Sequence, residues 1–110
     1  MLASPERISP PKPGDILKSF LRNGLGVTQH GLADAMKVSR FSINQIINDK
    51  RSITPEMAIR LGYVTGTTPN LWLNLQQRYD LFLASRKLEG EFSQLEVLRH
   101  LENSEIQDLP

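Results

Sequence analysis

Apolar residues recur along this chain at spacings of three and four, and most such stretches stand between recognisable helix starts and stops. Ile16, Leu17, Phe20 and Leu21 form the first set, ahead of Gly24 and Gly26, which tolerate the positive φ that ends helices. Leu32, Ala33 and Met36 form a second behind a capping Thr28, and Ile43, Ile46 and Ile47 a third behind Ser39. Thr54-Pro55-Glu56 and Thr68-Pro69 each place a hydroxyl cap before a proline at the first helical position. The helix they predict at 55 carries Met57, Ala58, Leu61 and Val64 and stops at Gly66. The one at 69 carries Leu71, Trp72, Leu75, Tyr79 and Phe82 to about residue 86. Ser93 and Glu96 have capping-box spacing, which predicts a last short helix with Leu95, Leu98 and Leu101. No segment alternates with a period of two, so the fold class is all-α: five helices and a short C-terminal helical extension.

Residues 1–12 hold three prolines and no sustained period, and are expected to form a flexible arm. One domain is expected over 13–86, and the extension over 87–110. Between the second and third helices only Lys37, Val38 and the capping Ser39 intervene. Two short helices joined so tightly must cross steeply, and Ala33 is small enough to permit the approach. That is helix-turn-helix geometry.

The third helix has an unusual outer face. With Ile43, Ile46 and Ile47 inward, the 3.6-residue period turns Arg40, Phe41, Asn44, Gln45 and Asn48 outward. Solvated faces usually carry Lys and Glu, whereas an arginine beside amides suits the hydrogen-bonding edges of bases. Arg40 can pair with guanine O6 and N7, Asn44 or Gln45 with adenine N6 and N7, and Phe41 can press on a thymine methyl. Gln29 at the start of the second helix, Ser39, and Asn48, Lys50 and Arg51 at the end of the third are expected to hold phosphates. For Lys50 and Arg51, favourable placement at the helix C-terminal dipole is a compatible account.

Charge sharpens this picture. Residues 1–60 hold nine basic and five acidic side chains, whereas residues 61–110 hold four basic and seven acidic ones. The basic half suits nucleic acid, and the acidic half a different partner. The fifth helix is apolar around much of its girth, with Leu81 and Leu83 added to its stripe, more than a small domain covers alone. A homodimer using Leu71, Tyr79, Phe82 and Leu83 is expected, pairing two recognition helices with a palindromic operator about 34 Å apart.

Catalysis finds no scaffold. There is no cysteine, His30 and His100 lie far apart, and neither a Gly-rich phosphate loop nor metal-ligand spacing occurs. No cofactor and no metal are expected. Asp15, Asp34 and Asp49 sit near helix ends, where capping accounts for them. No apolar run approaches a membrane span, and Ser4, Pro5, Glu6 and Arg7 interrupt any signal-like start, so a cytoplasmic location without membrane contact is expected.

Three stretches carry a family resemblance: PGDILKSFL at 13–21, TQHGLADAMKVSRFSINQIINDKRSITPEMAIRL at 28–61, and GTTPNLWLNLQQRYDL at 66–81. Together they resemble the HigA-type antitoxins, within the Xre/phage-repressor-like helix-turn-helix group. The Pro-Gly start, Ile53-Thr54-Pro55 and the run from Trp72 to Gln76 narrow the likeness to that type. The resemblance implies a homodimeric bundle that binds an operator in its own promoter and silences a HigB-type toxin, usually an mRNA-cleaving ribonuclease. The family's DNA-contact positions fall on Gln29, Ser39, Arg40, Phe41, Asn44, Gln45 and Asn48. Relatives commonly have glycine where this chain has Lys37 and Asp49, and a small polar residue where it has Phe41. A stand-alone repressor without a toxin, and a protein-interaction module that has lost DNA binding, are the other classes the residues allow.

Overall fold

Four of the five helices begin in the same local way. Thr28, Ser39, Thr54 and Thr68 each accept a hydrogen bond at the side-chain oxygen from the amide three residues on, at 3.0–3.3 Å. These caps open α2 (Gln29–Met36), α3 (Arg40–Ile47), α4 (Pro55–Thr65) and α5 (Pro69–Leu88). The first helix, α1 (Pro13–Ser19), has no side-chain cap of its own and runs on as a π-helical segment, Phe20–Leu25. Its amide cap comes from across the bundle: Gly14 N–H donates to Asp49 Oδ1 at 3.0 Å, from 35 residues away. The computed structural model describes residues 8–99, and among them there is no strand.

The start of α1 is pressed against the end of α3. A Cβ at position 14 would lie 2.7 Å from the Ile46 carbonyl oxygen, closer than real Cβ atoms come, and only glycine fits. The α1 helix also packs on α5, while α2 and α4 pack on each other and α4 packs along α5. One core results: Leu17 and Leu21 from α1, Leu32, Ala33 and Met36 from α2, Ile43, Ile46 and Ile47 from α3, Ile53 from the following loop, Ala58 and Leu61 from α4, and Trp72 from α5. Trp72 is fully buried. Its ring meets Phe20 edge-on at 5.9 Å, and its indole N–H donates to Thr67 Oγ1 at 2.8 Å, so burial leaves no polar atom unpaired.

Two non-glycine residues take left-handed backbone, Lys37 at φ 61° and Asp49 at φ 57°. They stand at the two positions where the family resemblance leads one to expect glycine. Each closes a helix: Val38 N–H bonds Ala33 O at 3.1 Å and Lys50 N–H bonds Gln45 O at 2.9 Å. A left-handed residue with a Cβ costs about 1 kcal/mol. At Asp49 the charge-assisted bond to Gly14, of the kind worth about 1.5–3 kcal/mol, offsets that cost, and at Lys37 nothing comparable does.

The C-terminal expectation needs correction. The Ser93–Glu96 spacing opens no helix over the described residues: a 3₁₀ helix at Glu89–Gln94 follows α5 directly, and Leu95 is extended. Leu95 and Leu98 are exposed. A helix this short requires a surface to bury its leucines on, and here they meet none. Leu101 and His100 lie outside the described residues, as do residues 1–7 of the expected arm. Residues 8–12 form no regular element, and Ile8, Pro10 and Pro11 line a shallow cavity against Leu81, Phe82 and Ser85 of α5.

The balance at the two left-handed positions gives opposite expectations for one substitution. Lys37→Gly should stabilise the fold by about 0.5–1 kcal/mol, and Asp49→Gly should fail to stabilise it, because relief of strain is cancelled by loss of the Gly14 cap. Urea denaturation of both variants checks this, and stabilisation by Asp49→Gly would deny the cap its role.

Candidate nucleic-acid interface

The helices α2 and α3 meet through a three-residue turn whose geometry the left-handed Lys37 and the capping Ser39 define. The far end of α2 is held from outside the motif: Arg60 on α4 donates from Nη1 to the Met36 carbonyl at 2.7 Å and pairs with Glu56 at 3.2 Å. With Ile43, Ile46 and Ile47 in the core, Arg40, Phe41, Asn44 and Asn48 are exposed and Gln45 is half-buried. The four expected base readers thus share one helix, three of them open to solvent, with the expected phosphate holder Asn48 exposed at its C-cap. Phe41 is 63 % exposed.

The amides on this face are linked. Asn48 Nδ2 donates to Asn44 Oδ1 at 3.2 Å and to the Asn44 carbonyl at 3.0 Å, and Asn44 Nδ2 donates to Gln29 Oε1 at 3.3 Å. The chain runs from the end of α3 to the start of α2. It fixes Gln29 with its oxygen facing α3 and its amide nitrogen turned away, available to an acceptor such as a phosphate. Asn44 spends one acceptor and one donor on neighbours and keeps one of each.

On the other flank Ser42 and Arg51 form a second cluster. Ser39 Oγ accepts from Ser42 N–H and donates to Ser42 Oγ at 2.9 Å, and Arg51 Nη1 donates to the same Ser42 oxygen at 2.9 Å. The Arg51 guanidinium lies 5.7 Å from the centre of the Phe41 ring. Arg51 is therefore folded back over the helix rather than extended beyond its end, while Lys50 is exposed beside it. Sequence reading passed over Ser42. Its signal was the Ser39-x-x-Ser42 spacing, which sets two hydroxyls one helical turn apart.

The expected dimer residues lie along α5. Leu71 and Leu83 are exposed, and Tyr79 and Phe82 are half-buried, Phe82 beside the Arg86 guanidinium at 5.5 Å and against the arm at Ile8–Pro11. Among the described residues no group of His, Cys, Asp or Glu has the arrangement of a metal site, and no helix is long and apolar enough to cross a membrane.

Two short helices packed together across a three-residue turn, the second with an exposed Arg–amide face, define a helix-turn-helix DNA-binding domain. The helix-turn-helix family model matches residues 20–72. An uncharacterized HTH-type transcriptional regulator of Escherichia coli (strain K12), YddM, is 37 % identical over 79 residues, which are 72 % of this chain and 83 % of that one. Two solved antitoxin structures superpose closely. An addiction-module antidote protein of the HigA family from Coxiella burnetii has a TM-score of 0.77 at 34 % identity, over 84 % of this chain and all of that one. Pseudomonas aeruginosa antitoxin HigA, solved with the higBA promoter, has a TM-score of 0.76 at 36 % identity, over 82 % of this chain and 99 % of that one. The chain belongs to the Xre-type helix-turn-helix family that includes the HigA antitoxins. That family is one of DNA-binding regulators and antitoxins, not of enzymes.

Because the amide chain is solvent-exposed, water replaces its bonds readily. Asn44→Ala should change stability by less than about 0.5 kcal/mol while freeing the Gln29 side chain. Thermal melting, together with NMR of the Gln29 side-chain amide, tests this. A loss of 2 kcal/mol would make the amide chain a structural element instead.

Proposed function

We propose that this chain is the antitoxin of a type II toxin–antitoxin pair, which represses its own operon and neutralises a HigB-type ribonuclease. The observation that carries the DNA half is the exposed face of α3, where Arg40, Phe41 and Asn44 stand out from an apolar anchor and Gln45 is half-buried beside them. In this reading Arg40, Phe41, Asn44 and Gln45 meet base edges, while Gln29 and Lys50 hold the phosphates on either side, and Ser39 and Asn48 join them by exchanging their bonds to Ser42 and Asn44 for phosphate oxygens. Two chains paired through Leu71, Tyr79, Phe82 and Leu83 would present two such faces to a palindromic operator, and the exposure of Leu71 and Leu83 supports that pairing. The toxin half is supported by the likeness to HigA antitoxins and by the acidic balance of residues 61–110, which complements a basic ribonuclease. In this reading the chain works in the cytoplasm, beside the operon it represses.

A second reading, a repressor with no toxin partner, is favoured by relatives that bear only the name of transcriptional regulator. Expression of the neighbouring gene separates the two. Growth arrest relieved by this chain supports the antitoxin, and no arrest supports the repressor.

The primary test is a size-resolved titration against the DNA upstream of its own gene and against a scrambled duplex, at two salt concentrations. Two chains per site, strong preference for the upstream DNA and steep loss of affinity with salt are expected. Equal weak binding to both duplexes would confine the family likeness to the fold. Within that assay Arg40→Ala should weaken operator binding by about 1–3 kcal/mol and relax one base preference. Gln29→Ala should weaken both duplexes alike, and selective loss on the operator would make Gln29 a base reader.

A further inference from the structure

We infer that Arg51, although it lies outside the recognition helix, is a specificity-determining residue: clamped on Phe41 and Ser42, its guanidinium is delivered to a guanine edge next to the thymine whose methyl Phe41 covers. This inference rests on the DNA-binding reading above. A cation placed to hold phosphate from the loop after α3 would extend toward solvent past the helix end. Arg51 instead turns back nine residues along the chain to donate from Nη1 to Ser42 Oγ at 2.9 Å, with its Cζ 5.7 Å from the centre of the Phe41 ring. Ser42 is itself fixed by Ser39, the N-cap of α3, through two bonds of 2.9 and 3.0 Å. The guanidinium is thus tied to the N-terminal turn of α3, the part of a recognition helix that enters the major groove.

The chemistry follows from what remains unspent. One of five N–H donors is used on Ser42, which leaves enough of the fork for paired bonds to guanine O6 and N7. Phe41, exposed and bulky, meets a thymine methyl, and its ring face holds the cation above by cation–π attraction. Phe41, Ser42 and Arg51 then act as one reader of a thymine adjacent to a guanine. Lysine cannot substitute, because an ammonium lacks the fork that pairs with guanine O6 and N7.

The test titrates wild type, Arg51→Lys, Arg51→Ala and Ser42→Ala against the DNA upstream of the gene and a scrambled duplex, across a salt series. Circular dichroism and melting confirm that each variant is folded. A base-reading Arg51 predicts roughly ten- to hundredfold weaker operator binding for both Arg51 variants. Scrambled-duplex affinity and salt slope should stay unchanged for Arg51→Lys, and Ser42→Ala should show a smaller loss confined to the operator. A phosphate grip predicts the opposite: Arg51→Lys near neutral, Arg51→Ala weaker on both duplexes alike, and a salt slope lower by about one, and that pattern overturns the inference. Wild-type protein without preference for the upstream DNA would overturn the DNA-binding reading itself, a failure visible before any variant is made.

Discussion

The arrangement of this domain depends on one contact, the first turn of α1 seated against the last turn of α3. Helix ends leave amides and carbonyls unpaired, and here two such ends meet. Asp49 supplies the acceptor that α1 lacks, and Gly14 supplies the clearance that lets the backbones approach. Because α1 also packs on α5, this joint carries the position of the recognition helix into the rest of the bundle. Arg60 does the same for α2 by holding the Met36 carbonyl from α4. Both helices of the motif are therefore braced at their C-terminal ends, and the exposed N-terminal turn of α3 is presented from a fixed base.

The polar side chains on that base are ordered before any partner arrives. Asn48, Asn44 and Gln29 form one hydrogen-bonded line, and Arg51, Ser42 and Ser39 form another, on opposite flanks of α3. Each bond is weak in stability terms because water competes for it. Their value lies in orientation: a side chain already held near its bound geometry loses less freedom on binding.

The fifth helix shows how far local pattern reaches. Its start at Thr68-Pro69 and the burial of Trp72 are as the spacing predicts. Leu71, one residue from Trp72, is exposed, and so are Leu81 and Leu83 farther along. A helix apolar on every side gives periodicity nothing to discriminate, so which leucines are core was decided by where α1 and α4 lie. The same reasoning covers the C-terminal segment, where a correct capping spacing at Ser93 formed no helix for want of a surface to pack on.

The sequence by itself determined the helices and their order, because caps, prolines and apolar periods act within a turn or two of the residues that encode them. It also determined which face of α3 points outward, since three isoleucines allow only one inward side; the left-handed strain at Lys37 and Asp49 is seen in the folded backbone. Tertiary structure alone decided what relieves that strain and what joins the flanks of the reading face. Asp49 meets Gly14 across 35 residues, Gln76 accepts from the Ile53 amide across 23, and Arg51 turns back onto α3. Such pairings leave no periodic trace, because the partners become neighbours only when the core has closed.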